Sequence, residues 1–442
     1  MDQILYQYKL NLTTWMYLSS LLTIAIYFKF SRLWSLRNLD LLGLIALAPG
    51  LLLVSLKGQA NQIGYIWLFA TGAFFLVRLL LDPMLVRRPL LEPNLTAGGL
   101  TFIAVSLLLF MLVNVVTKDP QGSDLDGPRR LRALMARRES STDTSLSKLG
   151  PGYPPLHFLP SIPIRVLMPA DPQLSEESGR YKADLATART MAILSHLAVV
   201  LGIVLIGVRH FDNIRTGIAA ATLYLLLPYT AEMTGRIDHV LPAALLVWTV
   251  VAYRRPLIAG MLLGLCTGVI YYPVFLLPLW CGFYWQRGLL RFLLGFVAML
   301  AALVASLAFI SRDMNSFLMQ VKMMLGWTSF SLDSGAQGFW AMSDSIGPYR
   351  IPVLVAFVVM SAGFALWPAQ KNLGTLLSCS AAVMLGTQFW HAQSGGLYMG
   401  WYLPLLLLTV FRPNLEDRVA VTALGEGWWG RRRFHVGHHQ AA

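Results

Sequence analysis

Residues 100–117, LTFIAVSLLLFMLVNVVT, run for eighteen positions without a charged side chain. A helix rises 1.5 Å per residue, so about 20 apolar residues cross the roughly 30 Å hydrocarbon core of a bilayer. Inside hydrocarbon every backbone N–H and C=O must find its partner within the chain, which leaves only helices and closed barrels. Strands of a barrel alternate apolar and polar residues over about ten positions. This run does not alternate, and several like it follow one another along the 442 residues. Only 13% of the chain is charged and 56% is hydrophobic, where soluble domains carry about 25% charged residues. The fold class expected is an all-α polytopic membrane protein.

Thirteen transmembrane segments are expected, near 14–30, 39–56, 62–81, 97–117, 188–208, 215–231, 238–254, 257–271, 273–286, 288–310, 351–368, 373–390 and 398–411. The basic residues set their direction. Short loops on one side hold Lys29, Arg32, Arg37, Arg87, Arg88, Arg209, Arg215, Arg254, Arg255, Arg287, Arg291, Lys371 and Arg412, and those on the other only Lys9, Lys57 and Arg236. The positive-inside rule makes the first side cytoplasmic, with the N-terminus outside and the C-terminus inside an inner membrane. The N-terminal stretch lacks a basic start and a small-residue cleavage site, so the first segment is expected to be retained.

The segment between Arg255 and Arg287 has arginines at both ends. Two half-depth helices hinged at Tyr271–Tyr272–Pro273 keep both pairs on the basic side, because proline breaks the hydrogen-bond ladder. Broken helices at membrane depth need protein or a cavity around their ends. The single long tilted helix is the alternative. The organisation that follows is a three-segment N-terminal extension (1–96), a core (97–310) holding a long outer loop (118–187), a second outer loop with the C-terminal segments (311–412) and a basic tail (413–442).

Net charge is +13. In a membrane protein such an excess faces anionic lipid, and nucleic acid is not an expected partner. Cys266, Cys281 and Cys379 lie in apolar segments without ligand spacing, so neither a disulfide framework nor a metal site is expected. The chemistry-bearing residues gather in the outer loop. KDPQGSDLDGPRR, residues 118–130, holds Asp119, Asp124 and Asp126 beside Arg129 and Arg130. A carboxylate can take a proton from an attacking hydroxyl, and arginines can hold a phosphate and its developing charge. The same residues also read as a solvated acidic turn followed by a basic amphipathic helix lying in the interface. Glu232, Arg236, Asp238 and His239 sit at the same level, either shaping a ligand site or capping a helix. His157 reads as a surface histidine, and Trp390, His391, Tyr398, Trp401 and Tyr402 as an interfacial belt or as rings that stack on a sugar or a prenyl chain.

Four local features resemble the membrane glycosyltransferases of the GT-C fold, closest to the family 87 and protein-mannosyltransferase-like enzymes. They are the acidic residue just outside a segment (Asp124 or Asp126), GPGYPPL at 150–156, the paired segments over 217–255, and the glycine-rich half-helix, break and return over 256–280. Two features depart from that pattern. Three segments precede the core, and Tyr272 stands at the break where the family often places a lysine or arginine. The resemblance implies inverting transfer of a mannose or other hexose or pentose from a polyprenyl-phosphate donor to a lipid, glycan or protein acceptor. Asp124, Asp126 or Asp119 would be the base, Arg129 and Arg130 the phosphate contacts. Tyr153, Glu232, Arg236, Asp238, His239 and Tyr272 would form the sugar or acceptor pocket. No cofactor is expected, although some relatives use a divalent metal. A permease or lipid flippase and a non-enzymatic subunit of a membrane assembly are the competing classes.

Overall fold

A computed structural model describes residues 11–85, 91–118, 122–135, 150, 152–167, 176–311, 313–325, 336–343 and 345–425. Helices account for its regular structure, with only isolated bridges between extended residues among the described part. The N-terminal helices are α1 (Leu12–Tyr27), α2 (Leu36–Ser55) and α3 (Gln59–Leu81), followed by α4 (Ala97–Thr117). Side-chain oxygens of Asn11, Ser35 and Thr96 accept from backbone N–H groups of the first turns of α1, α2 and α4. Such caps satisfy donors that a helix start leaves unpaired.

The outer loop after α4 is itself helical over α5 (Asp126–Met135), α6 (Tyr153–Leu156) and α7 (Phe158–Leu167). Next comes α8 (Glu176–Arg209), whose 34 residues span about 51 Å. It therefore begins twelve residues before the segment expected at 188–208 and carries Asp184 outward on a rigid rod. The segment expected at 215–231 is divided at Pro228 into α9 (Ile214–Leu226) and α10 (Pro228–Glu232). Then follow α11 (Ile237–Val251), α12 (Pro256–Val269), α13 (Leu277–Tyr284), α14 (Leu289–Ile310), α15 (Met314–Met324), α16 (Arg350–Gly363), α17 (Leu373–Trp390), α18 (Leu403–Phe411) and α19 (Ala420–Gly425).

Six helices are long and apolar enough to cross a membrane: Leu36–Ser55, Gln59–Met84, Ala97–Thr117, Glu177–Arg209, Leu289–Phe309 and Leu373–Trp390. Six of the other seven segments expected appear as shorter apolar helices, and the last, 398–411, holds the nine-residue helix Leu403–Phe411. Burial separates their places in the bundle. The apolar window of α17 is 94% buried, which makes it a central post, whereas those of α4 and α14 are 22% buried and lie at the periphery. One continuous apolar core joins α1–α3 to the rest, and the Tyr27 hydroxyl donates to the Ala219 carbonyl of α9.

The half-helix pair folds as an excursion out and back. Tyr272–Leu276 forms a 3-10 turn between α12 and α13, and Gly288 returns to lie against Pro256. From there α14 runs parallel to α12. A Cβ at Gly260 would meet the Phe292 carbonyl at 2.0 Å, and one at Gly264 the Phe296 carbonyl at 2.8 Å. Small residues at four-residue spacing let two backbones touch, which is how helices pack where no hydrophobic effect drives them together.

The arginine-bearing loops meet at one end of the bundle. There His210 Nε2 donates to the Val251 carbonyl, the Tyr284 hydroxyl donates to the Tyr253 carbonyl, and Arg418 pairs with Asp212. A buried chain of charges, not anticipated from the sequence, lies near the same end. Arg78 grips Asp40 with two bonds of 2.9 and 3.0 Å and reaches Asp82 at 2.8 Å, while Asp82 accepts from Arg412 at 2.6 Å. All four side chains are buried, and they tie α2 and α3 to the end of α18.

Candidate functional site

At the opposite end, α4 runs out at Thr117 and a 3-10 turn, Gly122–Leu125, leads into α5. This turn sets Asp124 over the connection that precedes α11. Its carboxylate lies so close to Gly235 that a Cβ there would stand 2.9 Å from Asp124 Oδ2. A side chain at 235 would push the carboxylate aside. Asp124 also lines a narrow, water-sized cleft between α4 and α8, walled by Val115, Leu185, Ala188 and Ala192 and topped by Lys118 and Arg189. Lys118 Nζ donates to the Glu232 carbonyl at 2.5 Å and faces the Glu232 carboxylate at 3.6 Å. Glu232 is therefore engaged on the α4 side.

Asp126 is the first residue of α5 and is half-buried; Arg129 is exposed on that helix and Arg130 half-buried. Arg132 forms an ion pair with Asp184, which fastens α5 to the outer extension of α8. Asp119, Arg137 and Arg138 lie outside the described residues.

The glycine-bounded segment after α5 docks on the half-helix. Gly150 N–H donates to the Val269 carbonyl at 2.7 Å and Gly152 N–H to the Gly268 carbonyl at 2.9 Å. These bonds satisfy carbonyls that the C-terminus of α12 leaves open. They also deliver Tyr153 into the interior, 1% exposed. Burial, and secondarily the Asp238 carboxylate, push the Tyr153 hydroxyl well above the usual phenol range; Arg130 and Arg236 oppose this and Asp124 adds to it. One phenol thus senses four of the residues singled out from the sequence.

Arg236 holds Asp238 with two bonds, 2.9 Å from Nε and 2.7 Å from Nη2. Burial alone would favour the neutral guanidine, but the Asp238 hydrogen bonds and charge win, and the Arg236 guanidinium is stabilised beyond its ordinary range. His239 follows. Gly400 N–H donates to the Tyr229 oxygen at 2.7 Å, and the Tyr229 hydroxyl and His239 Nδ1 share a hydrogen bond of 2.6 Å. His239 Nε2 lies 3.7 Å from Asp238 Oδ2 with no hydrogen-bond partner. A row of rings runs onward from there. His239 stacks on Tyr398 at 4.6 Å, Tyr398 on His391 at 4.8 Å, and His391 on Tyr272 at 5.2 Å.

Asp124, Arg130, Tyr153, Arg236, Asp238, His239 and Tyr272 therefore share one end of the bundle. Two sequence expectations are corrected. Trp390, His391, Trp401 and Tyr402 are buried under the helix ends, packed with Tyr398 among other rings, and do not form a lipid-facing belt. His157 is fully buried, its ring lodged under Gly127 of α5 and its Nδ1 donating to the Tyr153 carbonyl. Lys118, Arg189, Tyr229 and Gly235 are the site residues that sequence reading missed. Lys118 stood within the acidic stretch at a helix exit, a signal available in advance; Tyr229 and Gly235 matter only through contacts with distant segments. Among the described residues no three His, Cys, Asp or Glu side chains converge to hold a metal ion.

No family model, no curated protein and no solved structure matches this chain.

Proposed function

We propose that the protein is a membrane glycosyltransferase of the GT-C type, moving a sugar from a polyprenyl-phosphate donor to a lipid, glycan or protein acceptor on the outer face. In this reading the chain crosses the inner membrane thirteen times, with its N-terminus outside and its C-terminus in the cytoplasm. The observation that carries it is the placement of Asp124. A carboxylate stands on a cleft wall, seated against the Gly235 turn, with Arg130 and Arg236 in the same electrostatic neighbourhood. Asp124 takes the proton of the acceptor hydroxyl as its oxygen bonds to the anomeric carbon. The bond from that carbon to the phosphate oxygen breaks on the opposite face, so the configuration inverts. Arg130, with Arg129 beside it, meets the charge growing on the departing phosphate. Asp238 is unsuited to the base's role because Arg236 occupies both of its oxygens; the pair is better placed to orient sugar hydroxyls. The buried charges between α2, α3 and α18 bond to one another at the basic end and give a permease reading no support.

The test is sugar transfer from a polyprenyl-phosphate donor in proteoliposomes, with and without a chelator for divalent ions. Asp124→Asn should lower turnover by about 10²–10⁴-fold, the usual worth of a general base, while Asp126→Asn retains most activity. Equal turnover in the wild type and Asp124→Asn removes Asp124 as the base.

A further inference from the structure

The cations at the basic end are not equivalent. Arg78 and Arg412 are bonded to Asp40 and Asp82, and Arg418 to Asp212. The corner where α1 ends and α4 and α9 begin is different. There Lys29 Nζ donates to the Asn94 side chain at 2.9 Å, and Arg215 Nη2 donates to the Pro93 and Leu95 carbonyls at 3.3 and 2.7 Å. Arg37 lies within electrostatic range of Arg32, with Glu92 as the carboxylate it senses. Lys29 and Arg215 thus bond to residues 93–95, and Arg37, with Arg32 near it, senses Glu92. Two guanidinium nitrogens, Arg37 Nη2 and Arg215 Nε, are shielded from water without a hydrogen-bond partner. A buried donor left unpaired costs about 1–3 kcal/mol, more when charged, so an anionic acceptor at these two nitrogens would be stabilising.

The flank of this corner says where that acceptor resides. Phe30, Leu33 and Trp34 are 68%, 55% and 87% exposed, on the same short connection as Lys29 and Arg32, with Arg37 in the first turn of α2 that follows. Large apolar side chains interleaved with basic ones suit the boundary between acyl chains and headgroups. Asn38 stiffens the connection by donating to the carbonyls of Lys29, Arg32 and Leu33. Lys29 and Arg32 are therefore presented by a fixed loop, and Arg37 and Arg215 by the first turns of α2 and α9. We infer that Lys29, Arg32, Arg37 and Arg215 form a binding site for the phosphate of an anionic membrane lipid, whose acyl chains lie against Phe30, Leu33 and Trp34. The site is independent of any transfer chemistry at the other end.

Native mass spectrometry of the full chain, released from nanodiscs of mixed phosphatidylglycerol and phosphatidylcholine, reads the retained lipid directly. The wild type should keep phosphatidylglycerol in preference to phosphatidylcholine. Each cation near a charged lipid is worth roughly a fivefold factor, so Arg32→Gln with Arg37→Gln should weaken retention on the order of thirtyfold. Arg32→Lys with Arg37→Lys should restore most of it, which separates lost charge from lost folding. Arg418→Gln, at an arginine already paired, should change nothing. Equal retention of the two lipids by the wild type overturns the site, as does unchanged retention in the double Gln variant. Inorganic phosphate displacing the lipid at matched concentration would mark a soluble-anion site and overturn the lipid assignment.

Discussion

Asp124 and Asp238 are the same residue type at the same end of the bundle, and their surroundings differ. Asp238 is clasped by Arg236 and cannot readily accept another proton; Asp124 rests on a glycine turn beside a cleft. His157 shows the same dependence on surroundings. Burial lowers its pKa from 6.5 to about 4, and its Nε2 has no partner to receive a second proton. Since the folded value lies below the unfolded one, the stabilisation is complete above pH 6.5 and is lost as pH falls toward 4. The loss should reach on the order of 3 kcal/mol. Because the ring sits between α5 and the Tyr153 segment, the protection factors of amides in residues 126–135 and 152–161, corrected for the intrinsic pH dependence of hydrogen exchange, should fall between pH 7 and 4.5. A His157→Phe chain should show no such fall; the same fall there would assign the effect to another group. The acidity and basicity of the 118–130 stretch were plain in the sequence. That Asp124 sits over Gly235 was not, because the two lie more than a hundred residues apart in the chain.

Helices repeat this division. The break at Tyr271–Pro273 was legible because proline and the flanking arginines constrain the path locally. The parallel packing of α12 on α14 was not, since it depends on which glycine face meets which backbone. Nor was the charge chain through Asp82. Arg78 and Asp82 are four residues apart, a spacing that signals a helical pair, but Arg412 comes from the far end of the chain. Asp82→Asn would leave two buried guanidinium groups short of a carboxylate. Breaking such a pair costs about 3–5 kcal/mol, so the purified protein should unfold at a clearly lower temperature. Asp212→Asn, at the exposed pair with Arg418, should leave the unfolding temperature nearly unchanged. Similar effects from both variants would show that the buried chain is not what fastens α2 and α3 to α18.

Across the whole molecule, the arginine-bearing loops collect at one end and the candidate site at the other. Joined to the positive-inside rule, this predicts an outside site and an inside C-terminus. In a bacterial host, alkaline phosphatase fused after residue 122 should be active, and a green fluorescent protein fused to the C-terminus should fluoresce; the reverse pattern would invert the molecule. The amino-acid sequence by itself determined the helical class, the apolar segments and the polarity of the loops. Each of those follows from the local balance of apolar and charged side chains against hydrocarbon and water. Tertiary structure alone decided that α17 is the central post, that the ring row from His239 to Tyr272 is buried, and that Asp124 meets Gly235. Those are pairings between segments far apart in the chain, chosen by shape and by the need to satisfy buried polar groups, and neither has a signature in local composition.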